Sequence, residues 1–169
     1  GSGETLKLIQ SRIAGGGYAA GGASLLDESD FTAANLNRAE KGSGDSEVMI
    51  HELVHQWWGL GNMFDIPEPD SPWSAEGLTV YTTYRIVKEL YGEEYARTHY
   101  IDQWQQEVDD YYLNFYVRHP EYLEMLPEAE RLRISNSLSG MRQYSEMPLK
   151  ILKAEELVGG EAAMDEILH

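Results

Sequence analysis

Two histidines four residues apart with a glutamate between them, His51-Glu52-Leu53-Val54-His55, are the residues of this chain best placed to do chemistry. On a helix, one turn brings both imidazoles to the same face, about the separation that a single metal ion can bridge. Zinc accepts neutral imidazole nitrogen and carboxylate oxygen, and a catalytic zinc keeps one position open for water. Glu52 is rotated about 100° from His51, so it reaches a water on the ion more readily than the ion itself. The spacing therefore predicts one Zn2+ ion on His51 and His55, with Glu52 as general base. The competing reading is a pair of core histidines satisfied by hydrogen bonds, and the intervening glutamate weighs against it. A third ligand is needed. Glu76 is the best candidate because it opens the next helix, whereas Glu68 and Asp70 fall in an irregular loop. His99, His119 and His169 have no partner at ligand spacing.

The elements that must hold these side chains can be read from periodicity. The histidine helix is expected from about Glu47 to Trp58, with Asp45 or Ser46 as N-cap and Gly59 and Gly61 ending it. It is apolar on most sides (Val48, Met49, Ile50, Leu53, Val54, Trp57, Trp58), which predicts burial. Asn62 to Trp73 contains Pro67, Pro69 and Pro72 and reads as a loop. Ser74 to Tyr91, with Val80, Tyr84, Val87 and Tyr91 at helical spacing, is a helix stopped by Gly92. Glu93 to Val117 carries a second long stripe (Tyr100, Trp104, Val108, Tyr111, Phe115), broken by His119-Pro120. Shorter helices are expected over Pro127–Leu138, Pro148–Val158 and Ala162–Leu168. Before the histidine helix, Thr5 to Ile13 and Ala23 to Leu26 read as two strands forming a hairpin or edge ribbon, punctuated by Gly15-Gly16-Gly17 and Gly21-Gly22. Glycine lets another backbone come close, which suits a peptide-binding edge at Gly15, Gly16, Gly17 and Tyr18; a flexible loop is the alternative. The fold class is mainly α with a small β element (α+β). A β-rich start covers about residues 4–30 and a helical body about 45–169, after a Gly1-Ser2-Gly3 segment that reads as a cloning scar.

The two stretches His51-Glu52-Leu53-Val54-His55-Gln56-Trp57-Trp58-Gly59 and Trp73-Ser74-Ala75-Glu76-Gly77-Leu78-Thr79-Val80-Tyr81 resemble the M1 family of zinc aminopeptidases. These are gluzincins with a thermolysin-like catalytic domain. The resemblance covers roughly residues 12 to 165 and implies His51, His55 and Glu76 as zinc ligands and Glu52 as general base. Tyr144-Ser145-Glu146-Met147-Pro148-Leu149-Lys150 is similar to the segment that carries the family's catalytic tyrosine, which implies that Tyr144 donates a hydrogen bond to the oxyanion. Two departures stand out. The step from His55 to Glu76 is slightly longer than usual, and the proline-rich loop absorbs it. The family's upstream Gly-x-Met-Glu-Asn is replaced by Gly15-Gly16-Gly17-Tyr18-Ala19, without the glutamate that grips a free peptide amino terminus.

The expected function is zinc-dependent, aminopeptidase-like hydrolysis of peptide bonds. The missing glutamate leaves open an endopeptidase, or a peptide-binding or sensor domain that keeps zinc but turns over poorly. Composition narrows the classes further. Of 169 residues, 29 are acidic and 13 basic, giving a net charge of −16, so nucleic acid is not an expected partner. The expected partner is a peptide or protein substrate, with flanking domains possible in a longer parent chain. There is no cysteine, which excludes disulfides, thiolate metal sites and a cysteine nucleophile. No signal peptide is evident, and no apolar run is long enough to span a bilayer, so this fragment is expected to be soluble, without direct membrane contact. The compartment is not specified.

Overall fold

The computed structural model describes residues 5–12, 16–28, 44–60, 73–138 and 140–169, with the backbone alone for 44–46, 73 and 74. Two compact units divide the chain, Gly1–Ala96 and Arg97–His169. The fold is mainly helical with one small sheet, as the periodicity implied.

In the first unit, strands β1 (Lys7–Ser11), β2 (Gly17–Ala20) and β3 (Ala23–Asp27) form a sheet in the order β1-β3-β2. The expected pairing of the first and last strands as a hairpin is corrected here. β1 runs parallel to β3, and the hairpin joins β2 to β3 through Gly21-Gly22, with Ala20 opposite Ala23. Gly22 takes φ +74°, open to glycine without a Cβ penalty, and this turns the chain in two residues. Among the described residues β2 is thus an edge strand.

Helix α1 spans Gly44–Val54. It starts earlier than expected, so Asp45 and Ser46 lie within it and do not cap it. Its last turn tightens, the Trp57 and Trp58 N–H groups both donating to the Val54 carbonyl, and Gly59 at φ +91° ends it. Gly61 and the proline-bearing segment lie outside the described residues. Nor is α1 buried on most sides. Glu52, Val54 and His55 are buried, while Trp57 is 60% exposed. The reason is an open apolar groove, in which Ile50, Leu53 and Trp57 face Leu6, Ile9 and Ile86. A wide π-helical turn, Trp73–Gly77, leads into α2 (Leu78–Tyr91), followed by α3 (Glu93–Ala96). α2 supplies most of this unit's core: Leu78, Thr79, Val80, Tyr81, Thr83, Tyr84 and Val87.

In the second unit, a π-helical turn Arg97–Ile101 precedes α4 (Asp102–Leu113), and α5 (Phe115–Arg118), α6 (Pro120–Glu124) and α7 (Glu128–Leu138) follow. The single long helix expected up to Val117 is interrupted at Asn114. Its side chain accepts from the N–H groups of Tyr116 and Val117, so it caps a new helix and the old one stops. Phe115 thereby leaves the apolar stripe and is 54% exposed. A third π-helical turn, Arg142–Glu146, runs into α8 (Met147–Val158), which Gly159 ends in the left-handed conformation, and α9 (Glu161–Leu168) closes the described chain. Trp104, Ile134, Met141, Met147, Ile151 and Met164 form this unit's apolar core.

Candidate metal centre

Helix α1 carries His51, and the tightened turn that ends it carries His55 one turn on; their rings stand edge to face with centroids 4.7 Å apart. The two Nε2 atoms are 3.1 Å from each other. The wide turn ahead of α2 brings in Glu76, whose Oε2 lies 3.3 Å from each Nε2. Among the described residues these three form the one group of histidine and acidic side chains close enough to share an ion. Glu68 and Asp70 lie outside the described residues.

The donor set fits a metal. Zinc bonds of about 2.0–2.1 Å in tetrahedral array set neighbouring ligand atoms about 3.3–3.4 Å apart, close to the spacing here. Glu76 Oε2 is buried, and no donor meets it in hydrogen-bond geometry. An orphaned carboxylate oxygen aimed at two imidazole nitrogens is costly unless a cation completes the group. The tautomer of His55 is suited as well. Its Nδ1 lies 3.1 Å from the Trp58 carbonyl, which can only accept, so Nδ1 carries the hydrogen and Nε2 keeps its lone pair. The buried Thr79 hydroxyl stands 3.2 Å from the same Nδ1. Such outer partners fix a ligand's ring orientation.

Electrostatics mark the same cluster. Burial pushes the Glu76 carboxyl up. The imidazoles of His51 and His55, 3.3 Å away, would hydrogen-bond it once their Nε2 atoms carry protons, and they add their charge; together they more than reverse this and hold it at about 2. With Nε2 unprotonated, Oε2 has no donor. At His55, burial disfavours the charged ring, and Glu76, the Trp58 carbonyl and Glu52 together raise its pKa overall. Glu52 is 6% exposed, and its pKa is raised, by burial first, against the lowering effect of both histidines. A carboxylate poised above its ordinary range beside a candidate cation site suits a group that must take and return a proton.

The residues named from sequence fall as follows. His51, His55, Glu76 and Glu52 come together in the first unit. Of the glycine edge, Gly15 lies outside the described residues. Gly16 enters β2 at φ +80°, Gly17 opens the strand, and Tyr18 is 62% exposed. Tyr144 belongs to the second unit, on the π-helical turn Arg142–Glu146. Its 42%-exposed ring lines a cleft with Glu107, Asp110, Tyr111, Asn114 and Met141. Next to it, the Ser145 hydroxyl donates to Glu107.

Sequence reasoning missed three contributors. Thr79 sits one turn beyond Glu76 and touches His55. Gln56 sits one turn beyond Glu52, accepts from Gly22 N–H at 3.0 Å and donates to the carbonyls of Ala20 and Ala23 at 2.9 and 3.3 Å. Ser24, fully buried, donates to the Glu52 carbonyl at 3.1 Å. For Thr79 and Gln56 the i+3 and i+4 spacing from Glu76 and Glu52 was the available signal; for Ser24, on a separate strand, there was none.

A profile of the peptidase family M1 domain matches residues 16–120. Leucine aminopeptidase 2 of Emericella nidulans is 31% identical over 100 residues, covering 59% of this chain and 16% of that protein. Leucine aminopeptidase 2 of Neosartorya fischeri is 28% identical over 137 residues, 76% of this chain and 20% of that protein. Leukotriene A-4 hydrolase of Xenopus laevis is 27% identical over 115 residues, 68% of this chain and 18% of that protein. The chain therefore spans a fifth or less of the length of each. No solved structure gives a significant match.

Proposed function

Because this chain belongs to peptidase family M1, we propose that it hydrolyses peptide bonds with one zinc ion held by His51, His55 and Glu76 and with Glu52 as general base. The observation that carries this reading is the buried Oε2 of Glu76, without a hydrogen bond and 3.3 Å from both histidine Nε2 atoms. When bound, the ion would supply Lewis acidity to the scissile carbonyl and lower the pKa of the attacking water.

The chain's own residues do the rest. Glu52 takes the proton of the attacking water on its carboxylate and returns it to the leaving amine nitrogen. Its raised pKa places it nearer neutrality than an ordinary carboxyl, which favours both halves of that task. The family resemblance assigns to Tyr144 the donation of its phenolic hydrogen to the oxyanion, a charge present in the transition state and not in the substrate. Gly16, Gly17 and Tyr18 align the substrate backbone along the edge of β2 by strand addition.

The names of the fungal relatives favour removal of amino-terminal residues. Between Gly16 and Ala20, however, β2 carries no carboxylate to grip a free amino terminus. Matched peptides with free and acetylated amino termini decide between the two modes, since cleavage of the free form alone shows an exopeptidase.

The test of the whole reading is Glu52→Gln in zinc-loaded protein. Zinc content stays at one ion per chain, and peptide turnover falls by at least about a hundredfold. Wild-type turnover in that variant removes the mechanism.

A further inference from the structure

We propose that Gly17 is a positioning residue for Glu52: the bare backbone at the start of β2 leaves the space that the glutamate side chain fills. The inference rests on Glu52 acting as general base, as proposed above. A Cβ built at Gly17 would lie 2.4 Å from Glu52 Cγ, 2.9 Å from Cδ and 2.9 Å from Oε1. None of these is a tolerable contact, and the nearest atom is in the middle of the side chain, not at its free end. Gly17 has no positive φ among the glycines that do, so its backbone conformation is one alanine could also adopt. What requires glycine at this position is the close approach of Glu52.

Something must yield when a methyl group is added, and the surroundings decide what. β2 cannot withdraw cheaply, because its hairpin is fastened to α1 at two points. The Gln56 amide makes three hydrogen bonds across the Gly21-Gly22 turn. The buried Ser24 hydroxyl, on the partner strand, binds the Glu52 carbonyl itself. One anchor is the Glu52 carbonyl on the helix and the other is Gln56 in the turn that closes it, so hairpin and helix move as one. The softer coordinate is the Glu52 side chain, and its carboxyl shifts out of line with the attacking water. Misplacing a catalytic group by about 1 Å costs about a hundredfold in rate. Glu52 is not a ligand in this arrangement, so the metal stays.

The experiment compares Gly17→Ala with Gly21→Ala, whose added Cβ meets nothing within 4 Å. For each, kcat, KM and zinc affinity by chelator competition are measured on the zinc-loaded chain, and crystal structures are solved. The expected result for Gly17→Ala is a kcat lower by about a hundredfold, with KM and zinc affinity as in wild type and the Glu52 carboxyl displaced; Gly21→Ala stays at wild-type kcat. Three results each overturn the proposal: unchanged kcat in Gly17→Ala, a raised KM at constant kcat (the strand gave way), or zinc affinity falling together with kcat (the whole site collapsed). Should the wild-type chain cleave no peptide, the functional reading fails, and the Gly17→Ala crystal structure alone decides the positioning claim. An unmoved Glu52 carboxyl would then refute it.

Discussion

Three donor atoms within 3.3 Å of one another, one an oxygen lacking a hydrogen bond, leave the metal-free site dependent on protons. The signs follow from the two pKa shifts. Glu76 is depressed from 4.5 to about 2, so its contribution to stability is present above pH 4.5 and lost as pH falls toward 2. His55 is raised from 6.5, so its contribution is full below pH 6.5 and lost as pH rises through its elevated value. These are one interaction seen from its two ends, and it is complete only between pH 4.5 and 6.5. Denaturant midpoints of chelated protein should therefore peak in that window, and Glu76→Gln should flatten the peak; an unchanged profile in the variant would show that other groups set it. Zinc-loaded protein should show the reverse trend there, because protons compete for the same imidazoles. A second prediction concerns Thr79, fully buried against His55 Nδ1. Thr79→Val should weaken zinc binding by about tenfold, the low end for an outer partner since the Trp58 carbonyl shares the contact, and Thr79→Ser should restore it. Equal zinc affinity in all three proteins, by chelator competition, would remove Thr79 from the site.

Elements decide how much of this could be read in advance. The clustering of His51, Glu52, His55 and Glu76 was legible because a helix turns spacing into proximity within one segment, and because Glu76 opens the next helix. Thr79 and Gln56 were harder to single out: their i+3 and i+4 spacing from Glu76 and Glu52 puts them on the right face, but their partners lie on other elements. The sheet shows the same limit. Strands were visible as short alternating runs, but the parallel pairing of β1 with β3 follows from how the chain returns, and the strand Gly17–Ala20 was hidden between two glycine groups. The π-helical turns beneath Glu76 and Tyr144 were also invisible, because one extra residue per turn barely disturbs an apolar stripe. Asn114 is the instructive miss. The stripe runs straight through it, yet its carboxamide binds the N–H groups of Tyr116 and Val117 at 2.9 and 3.4 Å. Short polar side chains compete with the helix for backbone partners in this way. Asn114→Ala should therefore lose about 1 kcal/mol by chemical denaturation, the usual worth of an N-cap, while Asn114→Asp keeps it. A variant as stable as wild type would mean the helical path resumes without the cap.

At the scale of the molecule, a net charge of −16 makes association with any divalent cation unsurprising, so binding alone says little about a built site. Selectivity and location say more. Two imidazoles and one carboxylate are a borderline-soft donor set that favours zinc over calcium or magnesium, which prefer oxygen ligands only. Scattered surface carboxylates would show the opposite order. All three donors also belong to the unit Gly1–Ala96, where an ion would tie α1 to the turn that opens α2. An ion that binds the folded form alone, at a hundred times its dissociation constant, adds about 2.7 kcal/mol to folding. The thermal midpoint of chelated protein should accordingly rise on adding one equivalent of zinc and not on adding calcium. Amide hydrogen exchange should slow most in residues 47–60 and 73–91, and zinc should saturate at one ion per chain. Equal stabilisation by calcium, or protection spread evenly over both units, would reduce the metal to a counterion of an acidic surface. Protection confined to those two segments would identify it as the tie between the helix that holds the imidazoles and the turn that holds Glu76.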